Sequence, residues 1–204
     1  MPSHLRLAVA LCTLAVVWAL SFAVESVPFF PTVLIGSGLA ALFAVWLGRG
    51  DGIRVRLTAS GVVIGAVVGV AHLFVGRGLY AWASTALPAL TRDAAPIYER
   101  MSQVPVLWRV VLAGAIAAPL EELFWRGTAH PRIVPKGSAL KRTLIGALVY
   151  AGFHVVTLNP ALVAAAGLGG LVWAGLTEWR DDLTPALVAH GIWTGAMVLY
   201  PPTV

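Results

Sequence analysis

The stretch LRLAVALCTLAVVWALSFAV, Leu5–Val24, decides the fold class. Twenty residues with one charge, Arg6, make a helix of about 30 Å, the thickness of a bilayer's hydrocarbon core. The run is longer than the apolar centre of a cleaved signal peptide, so it reads as a retained first membrane helix. Working outward, the pattern recurs at Pro28–Gly48, Thr58–Gly76, Val104–Trp125, Thr143–Leu158, Ala161–Leu176 and Leu183–Tyr200. The expectation is an all-α, polytopic transmembrane bundle of about seven crossings, with an eighth possible from Gly78–Leu90. That segment either continues the third helix or lies along the interface. Thr91–Gln103, which holds Arg92, Asp93, Glu99 and Arg100, reads as a loop or surface helix.

Composition agrees. Of 204 residues, 59% are hydrophobic and 11% charged, against about 25% charged in a soluble domain. The chain reads as one integral-membrane domain, 1–204, with no room for a separate soluble one. The net charge of +5 sits in short segments between apolar runs, where it sets orientation and does not mark a nucleic-acid partner. The single cysteine, Cys12, excludes an intrachain disulfide and reads as a small buried hydrophobe. Gly61, Gly65 and Gly69 line one face of the third run with small side chains, which permits close helix packing.

Basic residues fix the expected topology. Arg49–Arg56 is basic, and Arg126–Arg142 carries Arg126, Arg132, Lys136, Lys141 and Arg142 without an acid. A cytoplasmic N-terminus and seven crossings place both segments on the cytoplasmic side and the C-terminus on the other.

Ionisable groups within apolar runs cost about 3 kcal/mol on insertion scales and normally have a partner or a task. Three places stand out. Pro119-Leu120-Glu121-Glu122 is followed by Arg126, which shares a helix face with Glu122, while Glu121 points about 100° away. Tyr150 and His154 lie one turn apart, with His154 roughly 16 Å along its helix from Thr143. His190 and Thr194 are likewise one turn apart. Separately these can be a charged helix end and two histidines bonded to neighbouring helices. Together, on three helices at depths placed towards the cytoplasmic side, one acid and two histidines suit water activation and oxyanion stabilisation. His72 belongs to no such cluster and reads as a packing residue; His4 and His130 lie outside the runs.

At these residues the chain resembles the CAAX protease and bacteriocin-processing family, which includes the type II CAAX prenyl protease. Glu121, Glu122 and Arg126 match its Glu-Glu-x-x-x-Arg motif. His154 matches Phe-x-x-x-His, with Tyr150 for Phe, and His190 matches His-x-x-x-Asn, with Thr194 for Asn. The resemblance covers 104–194. It implies Glu121 as general base assisted by His154, His190 as oxyanion donor with Thr194 beside it, and Glu122 and Arg126 as supports. It also implies a metal-free glutamate mechanism with no cofactor. A zinc hydrolase is a rival because one Glu and two His can ligate zinc, although no His-Glu-x-x-His is present. A lapsed family member serving as an immunity or scaffold protein is another, and a transporter a third. The expected partners are membrane lipids and membrane-anchored or C-terminal-tail protein substrates. Short length and richness in Ala, Val and Gly point to a bacterial cytoplasmic membrane.

Overall fold

The computed structural model describes residues 1–48 and 55–201. Most of the basic segment at Arg49–Arg56, including Arg49 and Arg54, and the C-terminal Val204 lie outside the described residues. The elements among the described residues are all helices: α1 (Ser3–Ala23), α2 (Phe29–Trp46), α3 (Ala59–Ala86), the short α4 (Pro88–Thr91) and α5 (Ala95–Ser102), α6 (residues 106–133), α7 (Ala139–Phe153), α8 (Pro160–Arg180) and α9 (Thr184–Leu199). Among the described residues, five segments are long and apolar enough to cross a membrane: α1, α2, α3, α7 with its extension to Thr157, and α8. With α6 and the shorter apolar α9, they form the polytopic bundle that the hydropathy runs predict. Gly78–Leu90 supplies no eighth crossing, because α3 continues through it to Ala86.

Helix starts follow local chemistry. The Thr58 hydroxyl accepts from Gly61 N–H at 3.1 Å, Ser138 from Lys141 N–H at 3.3 Å, and Asn159 from Leu162 N–H at 2.9 Å. Each satisfies an amide that a helix leaves orphaned at its first turn. At the start of α9, Asp182 accepts from the Thr184 N–H and hydroxyl, at 3.0 and 2.9 Å, and from Arg56 N–H at 3.1 Å.

Packing of α9 depends on absent side chains. A Cβ on Gly65 of α3 would lie 2.6 Å from the Pro185 carbonyl oxygen, and one on Gly114 of α6 would lie 2.8 Å from that of Gly191. The glycine face expected on α3 is thus the face that meets α9. The same logic, unread in the sequence, brings α6 against α9.

Helix α6 departs most from expectation. The run ends at Trp125 by hydropathy, but the helix continues to Ile133 through two widened, π-type turns, Val110–Ala117 and Trp125–Ala129. The first precedes Pro119, which has no N–H to offer the preceding turn. In the second, the Thr128 hydroxyl bonds the Leu123 carbonyl at 3.2 Å. Arg126 is therefore a buried helical residue and not the first residue of a basic loop. Arg132 reaches the carbonyls of Leu47 and Gly48 at 3.1 and 2.8 Å, and Arg142 pairs with Glu178 at 2.7 Å. His130, expected to carry no signal, is buried and lies 3.0 Å from the Arg142 carbonyl. Cys12, expected to be buried, is exposed on the outer face of α1.

Candidate active site

Glu121 and Glu122 are consecutive on α6 and serve different neighbours, as their angular separation requires. Glu121 faces α7, where the Tyr150 hydroxyl donates to Oε2 at 3.3 Å. Glu122 is fully buried. Its Oε1 takes Arg126 Nη1 at 3.0 Å and His190 Nδ1 at 2.8 Å. The guanidinium of Arg126 also lies over the Tyr150 ring, 4.1 Å from its centroid.

His154 stands where α7 tightens into the 3-10 turn His154–Thr157. Its Nδ1 is 2.8 Å from the Tyr150 carbonyl. A carbonyl only accepts, so Nδ1 carries the proton, and Nε2 presents a lone pair. The Thr157 hydroxyl bonds the His154 carbonyl at 2.7 Å, and Leu158, in the left-handed region at φ 54°, ends the turn before Asn159 caps α8. The Thr194 hydroxyl, one turn after His190 on α9, is buried and makes no hydrogen bond among the described residues.

Glu121, Tyr150, His154, His190 and Thr194 all line one cavity of about 190 Å³. The three sequence-selected places therefore meet. Their depth differs from the expectation. The cavity walls beyond these groups come from Phe22, Phe29, Phe30, Tyr80, Ile97, Tyr98 and Met101. These belong to the ends of α1 and α3, the start of α2, and α5. That is the end of the bundle remote from Lys136, Arg142 and Arg56. The reason is the length of α6: with its end at Ile133, Glu121 sits about 18 Å inside the helix, not at its basic terminus. The segment 91–103 becomes part of the wall, held to the α1–α2 turn by Arg100, whose Nη2 donates to the Val27 carbonyl at 2.7 Å.

Residues 103–196 match the Rce1-like family, described as type II CAAX prenyl endopeptidase Rce1-like. Over these residues the chain is similar to that family. No curated protein and no solved structure matches the chain. Against the family's Phe-x-x-x-His motif, Tyr150 is a substitution that gains a contact, since Phe has no hydroxyl to give Glu121. Among the described residues, no three His, Cys, Asp or Glu side chains group as a metal ion requires.

Three features were not singled out from the sequence. Trp173 of α8 stacks on His190 with ring centroids 3.6 Å apart. Asn159, which caps α8, also lines the cavity. His72, read as isolated, stacks on Trp193 at 5.4 Å and meets Trp173 edge-on at 6.1 Å. Its packing role stands, but within the layer of rings behind His190.

Proposed function

We propose that the protein is an intramembrane endopeptidase in which Glu121 and His154 activate a water and His190 and Thr194 stabilise the oxyanion. The observation that carries this reading is the shared cavity, into which three helices deliver one carboxylate and two imidazoles, Glu121 held by the Tyr150 hydroxyl, His154 by the Tyr150 carbonyl and His190 by Glu122. Water bound between Glu121 and His154 attacks the peptide carbonyl carbon, and its proton passes to the Glu121 carboxylate. The lone pair on His154 Nε2 accepts a hydrogen bond from that water and directs it. The carbonyl oxygen gains the negative charge and receives hydrogen bonds from His190 Nε2–H and the Thr194 hydroxyl. The tetrahedral carbon then expels the amine, which takes the proton from Glu121.

The assignment fixes one protonation state. His190 Nδ1–H points at a carboxylate, so a second donor at Nε2 requires the imidazolium. Carboxylates on Glu121 and Glu122 with the cations Arg126 and His190 then sum to zero within the buried cluster. Glu122 acts as the counter-charge that orients the oxyanion donor.

The apolar, aromatic walls favour a substrate that already resides in the membrane, as a transmembrane segment or a lipid-anchored tail. A bacterial cytoplasmic membrane would supply spanning peptides, such as the C-terminal anchor helix of a surface protein. The test is cleavage of labelled transmembrane peptides by the protein in liposomes, with Glu121→Gln as control. Cleavage by the native protein alone is the expected result; equal product from both would overturn the assignment. A catalytically lapsed relative would cleave nothing in either form.

A further inference from the structure

We infer that Trp173 is a positioning residue for His190, an inference that rests on reading His190 as the oxyanion donor. The indole is 2% exposed, and its ring lies nearly parallel to the imidazole, 19° from coplanar, with centroids 3.6 Å apart. That is the contact limit for two stacked rings. One edge of the imidazole is fixed by Glu122, at 2.8 Å from Nδ1. A single hydrogen bond leaves the ring free to tilt about it. The stacked face removes that freedom and keeps Nε2 directed into the cavity.

A second observation, independent of the stack, shows that the indole's place is built. Gly169 lies one turn before Trp173 on α8, and a Cβ there would stand 2.4 Å from the indole Cη2. The glycine vacates the volume that the ring occupies. The indole Nε1 makes no hydrogen bond among the described residues, so the ring is not placed for its polar atom. The Arg126 guanidinium lies 5.3 Å from the same ring's centroid. The indole thereby also covers the cation that shares Glu122 with His190, and excludes water from both.

The experiment compares Trp173→Phe, which keeps an aromatic face, with Trp173→Leu, which keeps apolar bulk, and with Gly169→Ala, which displaces the indole. Two quantities are read: kcat and KM on a transmembrane peptide, and the NMR position of the His190 ring protons, assigned by their loss in His190→Gln. Expected is retention of kcat within about 3-fold in Trp173→Phe. Trp173→Leu and Gly169→Ala should each lose about 10-fold or more in kcat at unchanged KM. In both, the His190 signals should also lose the ring-current displacement that the stack imposes. Displacement that persists in Trp173→Leu, or is lost without a fall in kcat, would overturn the inference. If Trp173→Leu does not fold, Gly169→Ala decides by the same two readings. Should the native protein cleave no peptide, the NMR positions still decide the stacking, and the protease reading fails separately.

Discussion

His190 Nδ1 and Arg126 Nη1 converge on a single oxygen of Glu122, at 2.8 and 3.0 Å, with all three side chains buried. The second carboxylate of the pair is therefore the structural centre of the polar cluster, while the first, Glu121, lines the cavity and takes the Tyr150 hydroxyl at a longer 3.3 Å. The two acids should fail differently.

Glu122→Ala leaves Arg126 buried without its counter-charge, a loss of about 3–5 kcal/mol in stability. Glu121→Gln keeps shape and removes only the base, so thermal unfolding should stay near native while cleavage is abolished. Unfolding and activity measured on both variants in one detergent check this. Equal destabilisation of the two would contradict the division of labour.

Tyr150→Phe removes one hydrogen bond to Glu121 and restores the ring that the motif usually carries at this position. The hydroxyl donates to a carboxylate but at a long 3.3 Å, so the bond contributes about 1 kcal/mol and kcat should fall roughly 5-fold. A complete loss would mean that the hydroxyl takes part in the chemistry.

Helix existence was legible because a membrane crossing is a local, one-dimensional property of about 20 residues. The site residues were legible because buried ions are costly and few. What hid was pairing between helices. Glu122 and His190 are 68 residues apart, and no periodicity links them. Trp173 looked like any apolar residue of α8, since nothing local distinguishes a stacked indole from a lipid-facing one. The extension of α6 past Arg126 was masked because hydropathy reads a charge as a boundary. A guanidinium that is buried against Glu122 and Tyr150 is not one.

Asp182 carries a pH dependence of stability outside the spanning helices. Burial acts to raise its carboxyl, but hydrogen bonds from Thr184 and the Arg56 amide outweigh this and hold it below the usual aspartate value. The folded state thus favours the carboxylate. Its stabilisation is complete above the ordinary value of about 4 and is lost as pH falls from there through the lowered value. Asp182→Ala should cost about 1–2 kcal/mol at neutral pH, as loss of a helix cap does. It should also flatten the acid-side decline seen in the native protein. Thermal unfolding across pH for both proteins checks the sign.

The Thr194 hydroxyl, one turn after His190, is buried and makes no hydrogen bond among the described residues. Thr194→Ala should reduce kcat by about 10- to 100-fold, below the loss of a strong oxyanion donor. Thr194→Asn, the residue that the motif carries, should retain activity. Strong chelators should leave both the native rate and this ranking unchanged. Activity that disappears with chelator and returns with zinc would replace the metal-free mechanism with a metal-dependent one.

The orientation of the bundle decides from which side the cavity is reached. Lys136, Arg142, Arg132 and Arg56 mark one end, which the positive-inside rule assigns to the cytoplasm. The walls formed by Phe29, Ile97, Tyr98 and Met101 lie at the other. In a Cys12→Ala background, Lys136→Cys and Glu99→Cys should label with an impermeant thiol reagent from opposite faces of sealed vesicles, Lys136→Cys from the cytoplasmic one. Ala165→Trp, which narrows the cavity from α8, should raise KM for a transmembrane peptide and leave unfolding near native. Labelling of both cysteines from one face would break the seven-crossing count. Exchange of the two faces would keep the count and move the cavity mouth to the cytoplasmic side, so that cytoplasmic tails, not extracytoplasmic anchors, would be the substrates to test.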